Sequence, residues 1–438
     1  MLNTAKEKMQ KIGCTIPNIL LPNEGIDLSS WAVIACDQFT SQREYWKKAG
    51  DICYGKDSTL HMIFPEVYLE DDNKEERIGW INNTMDYYKN KGVFKEYRDT
   101  LVLVKRTTAS GTVRYGLMLA LDLDAYSWEK GAKTLIRATE GTILSRIPPR
   151  VAIRKNAILE LPHILVLISD KKKSVIEPLV KKTESLKKLY QTSLMLGGGE
   201  IEGWAVDDPA LLNSVADALC ALKEGLDKKN PLLFAMGDGN HSFATAKQCW
   251  EDLKGTLSEE ERKNHPARYC LVEIENVFDK GIEFEAIHRA FFNVSLADFD
   301  KEIAKTCKKV NVESVKNLKA VKTFLKKKQE THSFALCSGG KYFIYTLDGA
   351  KSSIPAGSIQ RVIEALAKKS KGSVDYIHGY EETDKLGNAE GNIGIFLPAI
   401  SKDTFFDSIV KDGALPRKTF SMGEAEEKRY YMEGRYIK

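Results

Sequence analysis

Leu232-Leu-Phe-Ala-Met236-Gly237-Asp238-Gly239-Asn240-His241-Ser242 decides the reading of this chain. Its first five residues are apolar and suit a buried strand, and a helical pattern, Phe243 to Trp250, follows the glycines without a linker. A strand that empties through a tight glycine turn into a helix presents backbone N–H groups and the positive end of the helix dipole together. Glycine also lets an anion approach the main chain. Phosphate is the natural ligand of such a junction. Gly237, Gly239, Asn240 and Ser242 are read as its cradle. His241 can donate to a phosphate oxygen or carry a proton near neutral pH, and Asp238 can hold a metal ion or act as general base. The competing reading is a plain Asp-Gly-Asn turn with Ser242 as N-cap. A turn alone does not require an Asp between glycines and a His just beyond them, so the functional reading is preferred.

Working outward, Ile164–Ile168, Ile201–Val206 and Trp31–Cys36 read as strands, and Leu101–Val104 with Tyr115–Leu121 as a hairpin across Ser110-Gly111. Helical spacing marks 72–91, 174–190, 209–226 and 242–253, and Ser41 is placed to cap a helix from Gln42. Interleaved strands and helices predict an α/β fold, mixed with α+β character. After Asn293 the pattern restarts, with helices at 296–308 and 315–328 and a hairpin at 334–345. Two domains are expected, a catalytic region at 1–293 and a C-terminal α/β domain at 294–438.

A second cluster, Arg137-Ala-Thr139-Glu140-Gly-Thr142 with Arg146-Ile-Pro-Pro-Arg150, gathers hydroxyls, a carboxylate and guanidinium groups suited to an anionic substrate, with Glu140 as candidate base. An exposed loop of weak ion pairs is the equal alternative. Asp37 and Gln38 stand just past a strand's carboxyl end, where α/β folds place ligand contacts. Pro162-His163, Asp375-Tyr-Ile-His378-Gly379 and Leu415-Pro-Arg-Lys418 carry weaker signals, because a lone His beside apolar residues is more often a hydrogen-bonded core residue. The P-loop, the dinucleotide glycine turn, the nucleophile elbow and the zinc helix are missing.

Lys+Arg at 65 against Asp+Glu at 61 gives a net charge of +4, without the basic excess of a nucleic-acid binder. Lysine runs such as Lys326-Lys327-Lys328 read as solvated helix faces. The eight cysteines show no Cys-x-x-Cys pair and read as reduced thiols, and no stretch reaches membrane-spanning length, so a cytoplasmic protein is expected.

Together, Trp31 to Ser41, Ile136 to Thr142, Gly237 to Ser242, Val374 to Gly379 and Pro416 to Phe420 resemble domain-of-unknown-function family 1015 over nearly the whole chain. The glycine turn in turn is similar to the Asp-Gly-His-His-Arg signature of the ParB/sulfiredoxin-like superfamily, which includes free-serine kinases. Asp238 and Gly239 match it, and His241 matches the second histidine. Asn240 replaces the first, and Ser242 replaces the arginine, so either Arg137, Arg150 or Lys247 supplies the lost charge or the nucleotide role is altered. The resemblance implies a ParB/serine-kinase-like nucleotide-binding core and phosphoryl transfer on a small metabolite such as serine or phosphoserine. It also implies ADP or ATP with magnesium on Asp238. Asp37, Gln38, Arg137, Thr139, Thr142, Arg150 and His378 are the implied substrate contacts. The expected partners are a small molecule and a nucleotide, with a homodimer left open and neither membrane nor nucleic acid required. A nucleotide-independent phosphatase and a non-catalytic nucleotide sensor are the alternatives.

Overall fold

Along Leu101–Thr107 the side chains of Leu101 and Leu103 join one hydrophobic cluster and those of Val102 and Val104 another. Successive strand residues point to opposite faces, so this strand is covered on both sides. It belongs to a mixed ten-stranded sheet in the computed structural model, which describes residues 2–129, 131–327, 331–369 and 372–438. Lys328 of the basic run lies outside them. The sheet runs Lys188–Leu194, Gly199–Val206, Leu101–Thr107, Val113–Asp122, Tyr269–Asn276, Leu165–Ile168, Phe234–Asp238, Ile136–Arg137, Tyr126–Ser127, and Cys14–Thr15 pairs beside it with Val113–Asp122. One face packs on the helices Pro209–Glu224 and Asn240–Lys254, through Leu212, Leu219, Phe243 and Trp250. The other carries Trp31, Trp46, Met85, Tyr190 and Tyr430. The fold is mixed α/β, as expected.

Packing divides the chain into Met1–Ile282 with Gly423–Lys438, and Glu283–Met422. The second unit is an antiparallel six-stranded sheet from Lys309–Val315 to Ser373–Ile377, with Val321 and Leu325 of helix Leu318–Lys326 packed on Ala335 and Ile344. The terminal segment, assigned by sequence to the C-terminal domain, lies in the first unit. Tyr430–Tyr431 pairs with Val33–Ile34, and Arg435–Tyr436 with Leu159–Glu160. Among the described residues no helix is long and apolar enough to cross a membrane, and all eight cysteines are free.

Three local expectations change. The helix read over 174–190 is a single turn, Glu177–Val180, because Asp170 accepts hydrogen bonds from Ser174 and Val175 N–H and binds that end into a loop. Lys188–Leu194 is instead a strand whose burial alternates. The strand read at Trp31–Cys36 shrinks to Val33–Ile34, since Asp27 caps a helical turn, Leu28–Trp31, through Ser29 N–H. The next helix begins at Arg43 with Gln42 as its N-cap, so Ser41 does not cap it.

Charge is buried where the terminal segment meets the sheet. Glu273 is 2% exposed, and its carboxylate fills the space where a Cβ on Gly116 would stand. Arg429 pairs with both Glu273 and Glu433, donates Nε to the Pro162 carbonyl at 3.2 Å, and lies against Met118 Sδ. Tyr190 donates to Glu433. Two residues along, Glu275 is fully buried with Arg114 Nε at 2.9 Å. Burial above all, opposed by Arg114 and reinforced by Glu273, pushes Glu275 up to about 8.

Arg429→Met leaves two buried carboxylates without their cation and is expected to cost about 3–5 kcal/mol in denaturant unfolding. Folded Glu275 holds its proton to a higher pH than the unfolded chain, for which 4.5 is the ordinary value. Its contribution is therefore complete below that value and is lost as pH rises through about 8. Melting temperature should fall over that range in the wild type, and Glu275→Gln should flatten the fall.

Candidate functional site

The registers Leu165↔Asp238 and Val166↔Met236 leave Gly237 as an extra residue in its strand, a β-bulge. The bulge re-aims Asp238 at the strand's end. Gly239 then takes φ +77° and ψ 25°, a left-handed conformation that glycine adopts without a Cβ penalty. A Cβ there would also stand 3.0 Å from Ile164 Cγ1. The helix Asn240–Lys254 starts at once, with Gly239 as an N-cap that offers no side chain to the first N–H groups. Because the helix begins at Asn240, Ser242 lies inside its first turn rather than capping it. Asn240 Oδ1 is buried without a hydrogen-bond partner at this helix start.

The 139–143 segment lies along the turn. Thr139 donates Oγ1 to the Met236 carbonyl at 2.7 Å, and Ile143 N–H donates to His241 Nε2 at 3.2 Å. Half-buried Glu140 falls between these two anchors. With Nε2 accepting, the hydrogen of a neutral His241 belongs on Nδ1. Asp238 accepts from Gly239 N–H at 2.9 Å, and its other oxygen faces Lys428 Nζ at 3.3 Å. Burial pushes its carboxyl up, but Lys428, the Gly239 N–H and His163 outweigh it and hold it below the usual range, so Asp238 is ionised.

His163, just before the neighbouring strand, connects the turn to the Asp37 loop. Cys36 N–H donates to the Tyr431 oxygen at 3.1 Å, and the phenol lies 2.8 Å from His163 Nδ1. Burial keeps that phenol protonated, and its hydrogen suits Nδ1, which directs the imidazole N–H to Nε2. Nε2 faces Asp37 Oδ2 at 3.9 Å, while Gln38 donates to Asp37 Oδ1. Glu66 pairs with Arg150 at the same place; burial pushes Glu66 up and Arg150 pulls it back.

The structure thus brings together Asp37, Gln38, Arg150, Asp238 and, at the turn, Gly237, Gly239, Asn240, His241, Ser242, Thr139 and Glu140. Other nominated residues lie elsewhere. Arg137 is 2% exposed and donates to the Ala132 and Pro231 carbonyls, a bracing role set by its inward position on its strand. Lys247 pairs with Glu251 and lies 3.9 Å from Asp124. Thr142 has its hydroxyl beside Tyr126. His378 belongs to the second unit, where it acts electrostatically on His288. Glu66, Lys428 and Tyr431 escaped the sequence reading; the run Lys428-Arg429-Tyr430-Tyr431, two cations before two aromatics, is the local trace of the last two. Among the described residues no set of three or more His, Cys, Asp or Glu side chains is placed to hold a metal ion.

A cleft of about 550 Å³ opens beside the Asp37 loop and not at the turn, lined by Phe39, Gln42, Tyr45, Lys48, Leu196 and Glu426. Phe39 holds φ +51°, uncommon for a bulky residue, and stacks on Tyr45 with centroids 3.9 Å apart.

The chain belongs to the family described as protein of unknown function (DUF1015), whose profile matches residues 20–367. No curated protein matches the chain. Among solved structures it is similar to a free serine kinase in complex with AMP, at 12% identity and TM-score 0.36, over 72% of this chain and 90% of that one. It is also similar to a conserved hypothetical protein from Pyrococcus furiosus, at 11% identity and TM-score 0.36, over 72% and 93%. A third is SbnI with a C-terminal truncation from Staphylococcus aureus, at 7% identity and TM-score 0.34, over 70% and 82%.

Gly239→Ala forces a side chain into a left-handed site against Ile164. It is expected to lose about 1–3 kcal/mol of stability by thermal or denaturant unfolding and to weaken any anion bound at the turn.

Proposed function

We propose that this chain is a phosphotransferase that moves a phosphoryl group between an adenine nucleotide and the hydroxyl of a small metabolite, with serine and phosphoserine as the metabolite pair. One observation carries this reading: a bulged glycine, a left-handed glycine and a helix start without a side-chain cap converge on one point, with ionised Asp238 and Lys428 at its edge. Phosphoryl transfer asks mainly for positioning and charge neutralisation, which such a set supplies.

In the forward direction the phosphate oxygens accept the N–H groups of the turn. The metabolite hydroxyl oxygen attacks the terminal phosphorus, the bond from that phosphorus to the nucleotide's bridging oxygen breaks, and the hydroxyl proton passes to Glu140. The nucleotide leaves one phosphate shorter and carries the bonding electrons. His241 donates Nδ1–H to the developing charge. Asp37 and Gln38 hold the metabolite at the mouth of the neighbouring cleft, whose volume suits a small ligand. Thr139 and Arg150 act through what they brace, the Met236 carbonyl and Glu66. Magnesium would arrive with the nucleotide phosphates, as that ion commonly does, with Asp238 as its protein contact. No step is routed through it.

Purified protein with serine and ADP or ATP should form phosphoserine, and phosphoserine with AMP or ADP should run the reverse. Asp238→Ala should lower turnover by about a hundredfold or more. Inorganic phosphate released from phosphoserine without nucleotide would instead identify a hydrolase. Tight nucleotide binding without product would identify a sensor.

A further inference from the structure

A phosphate brought to the glycine turn arrives beside Asp238, which is already ionised, and the main-chain N–H groups carry no net charge to offset two anions. A cation is required there. The three that the sequence nominates are engaged by other partners: Arg137 by the Ala132 and Pro231 carbonyls, Arg150 by Glu66 beside the Asp37 loop, and Lys247 by Glu251. The ammonium that does stand at the turn is that of Lys428, 3.3 Å from Asp238 Oδ2 and 14% exposed.

Its position is over-determined. A capping box between Glu424 and Glu427 closes the turn Ala425–Glu427, and Lys428 N–H donates to the Ala425 carbonyl at 3.3 Å. On its other side Arg429 is locked between Glu273, Glu433 and the Pro162 carbonyl, and Ala35 N–H donates to the Arg429 carbonyl at 2.9 Å. Lysine normally loses much conformational freedom when it grips a ligand. Here the backbone is fixed from both sides and Asp238 holds the head group, so most of that loss precedes binding.

We propose that Lys428 is the phosphate-binding cation of this site, supplied to the glycine turn by the segment that follows the second unit. The inference rests on the phosphate reading of the turn. An ammonium carries three donors, enough to hold the Asp238 carboxylate and a phosphate oxygen together. Asp238 then also serves to aim Lys428.

Calorimetric titration of the full chain with ADP, adenosine and inorganic phosphate tests this. Lys428→Met should weaken ADP and phosphate by about tenfold or more, the value of one charge-assisted hydrogen bond, and leave adenosine unchanged. Lys428→Arg, which keeps the charge, should stay within about threefold of wild type for ADP. Unchanged ADP and phosphate affinity in Lys428→Met would overturn the assignment. So would an equal loss for adenosine, which would mark a purely structural role. If Lys428→Met does not fold, Lys428→Arg and Lys428→Gln are compared, and equal ADP affinity between them sinks the proposal. A wild type that binds phosphate but no adenine nucleotide would refute the nucleotide reading while leaving Lys428 to stand or fall on the phosphate arm.

Discussion

The guanidinium of Arg429 holds the candidate site of the first unit in register. It neutralises Glu273 on a central strand and Glu433 on its own segment, and it anchors the Pro162 carbonyl one residue before His163. Its carbonyl accepts from Ala35 N–H, two residues before Asp37. Its neighbours in sequence reach the site directly: Lys428 to Asp238, and Tyr431 to His163 and Cys36. A buried ion pair is weak proof of stability, since desolvation consumes much of the attraction. Its value here is geometric, because one guanidinium answers both Glu273 and Glu433 and so ties the terminal segment to the central strand.

The turn shows how two glycines do different work. Gly237 adds a residue to its strand and so turns Asp238 out of the sheet's alternation. Gly239 reverses the backbone hand and lets the helix start immediately. Between them Asp238 is held at both oxygens. Thr139 Oγ1 and Ile143 N–H then fasten a second segment along the same edge, to the Met236 carbonyl and the His241 ring, with Glu140 between the two anchors.

What could be read from sequence was what is local. The strand, glycines and helix from Leu232 to Trp250 lie within one stretch, so their periodicities and turn chemistry identify them without knowledge of the fold. Strands that alternate or run apolar, such as Leu101–Thr107 and Gly199–Val206, were likewise legible. Residues 174–190 were misread because lysines and leucines at helical spacing also suit a strand edge, and Asp170 settles the matter through loop hydrogen bonds. His163 was weighed as a core histidine; at 9% exposure it is nearly that, and also faces Asp37. Arg137 looked like a ligand and proved to be a brace, a difference that depends on which way one strand residue points. Lys428 and Tyr431 were invisible because their partners lie hundreds of residues away, and no periodicity encodes that pairing.

The discontinuity of the first unit also has a temporal side. Residues 283–422 emerge from the ribosome between the glycine turn and the segment that neutralises it. A nascent chain therefore holds Asp238 and Glu273 without their counter-charges, and His163 without Tyr431, while an entire second unit is being made. Pairing across so long a connection is slow compared with local folding. The glycine turn thus gains the Lys428 ammonium only after the whole second unit has been synthesised.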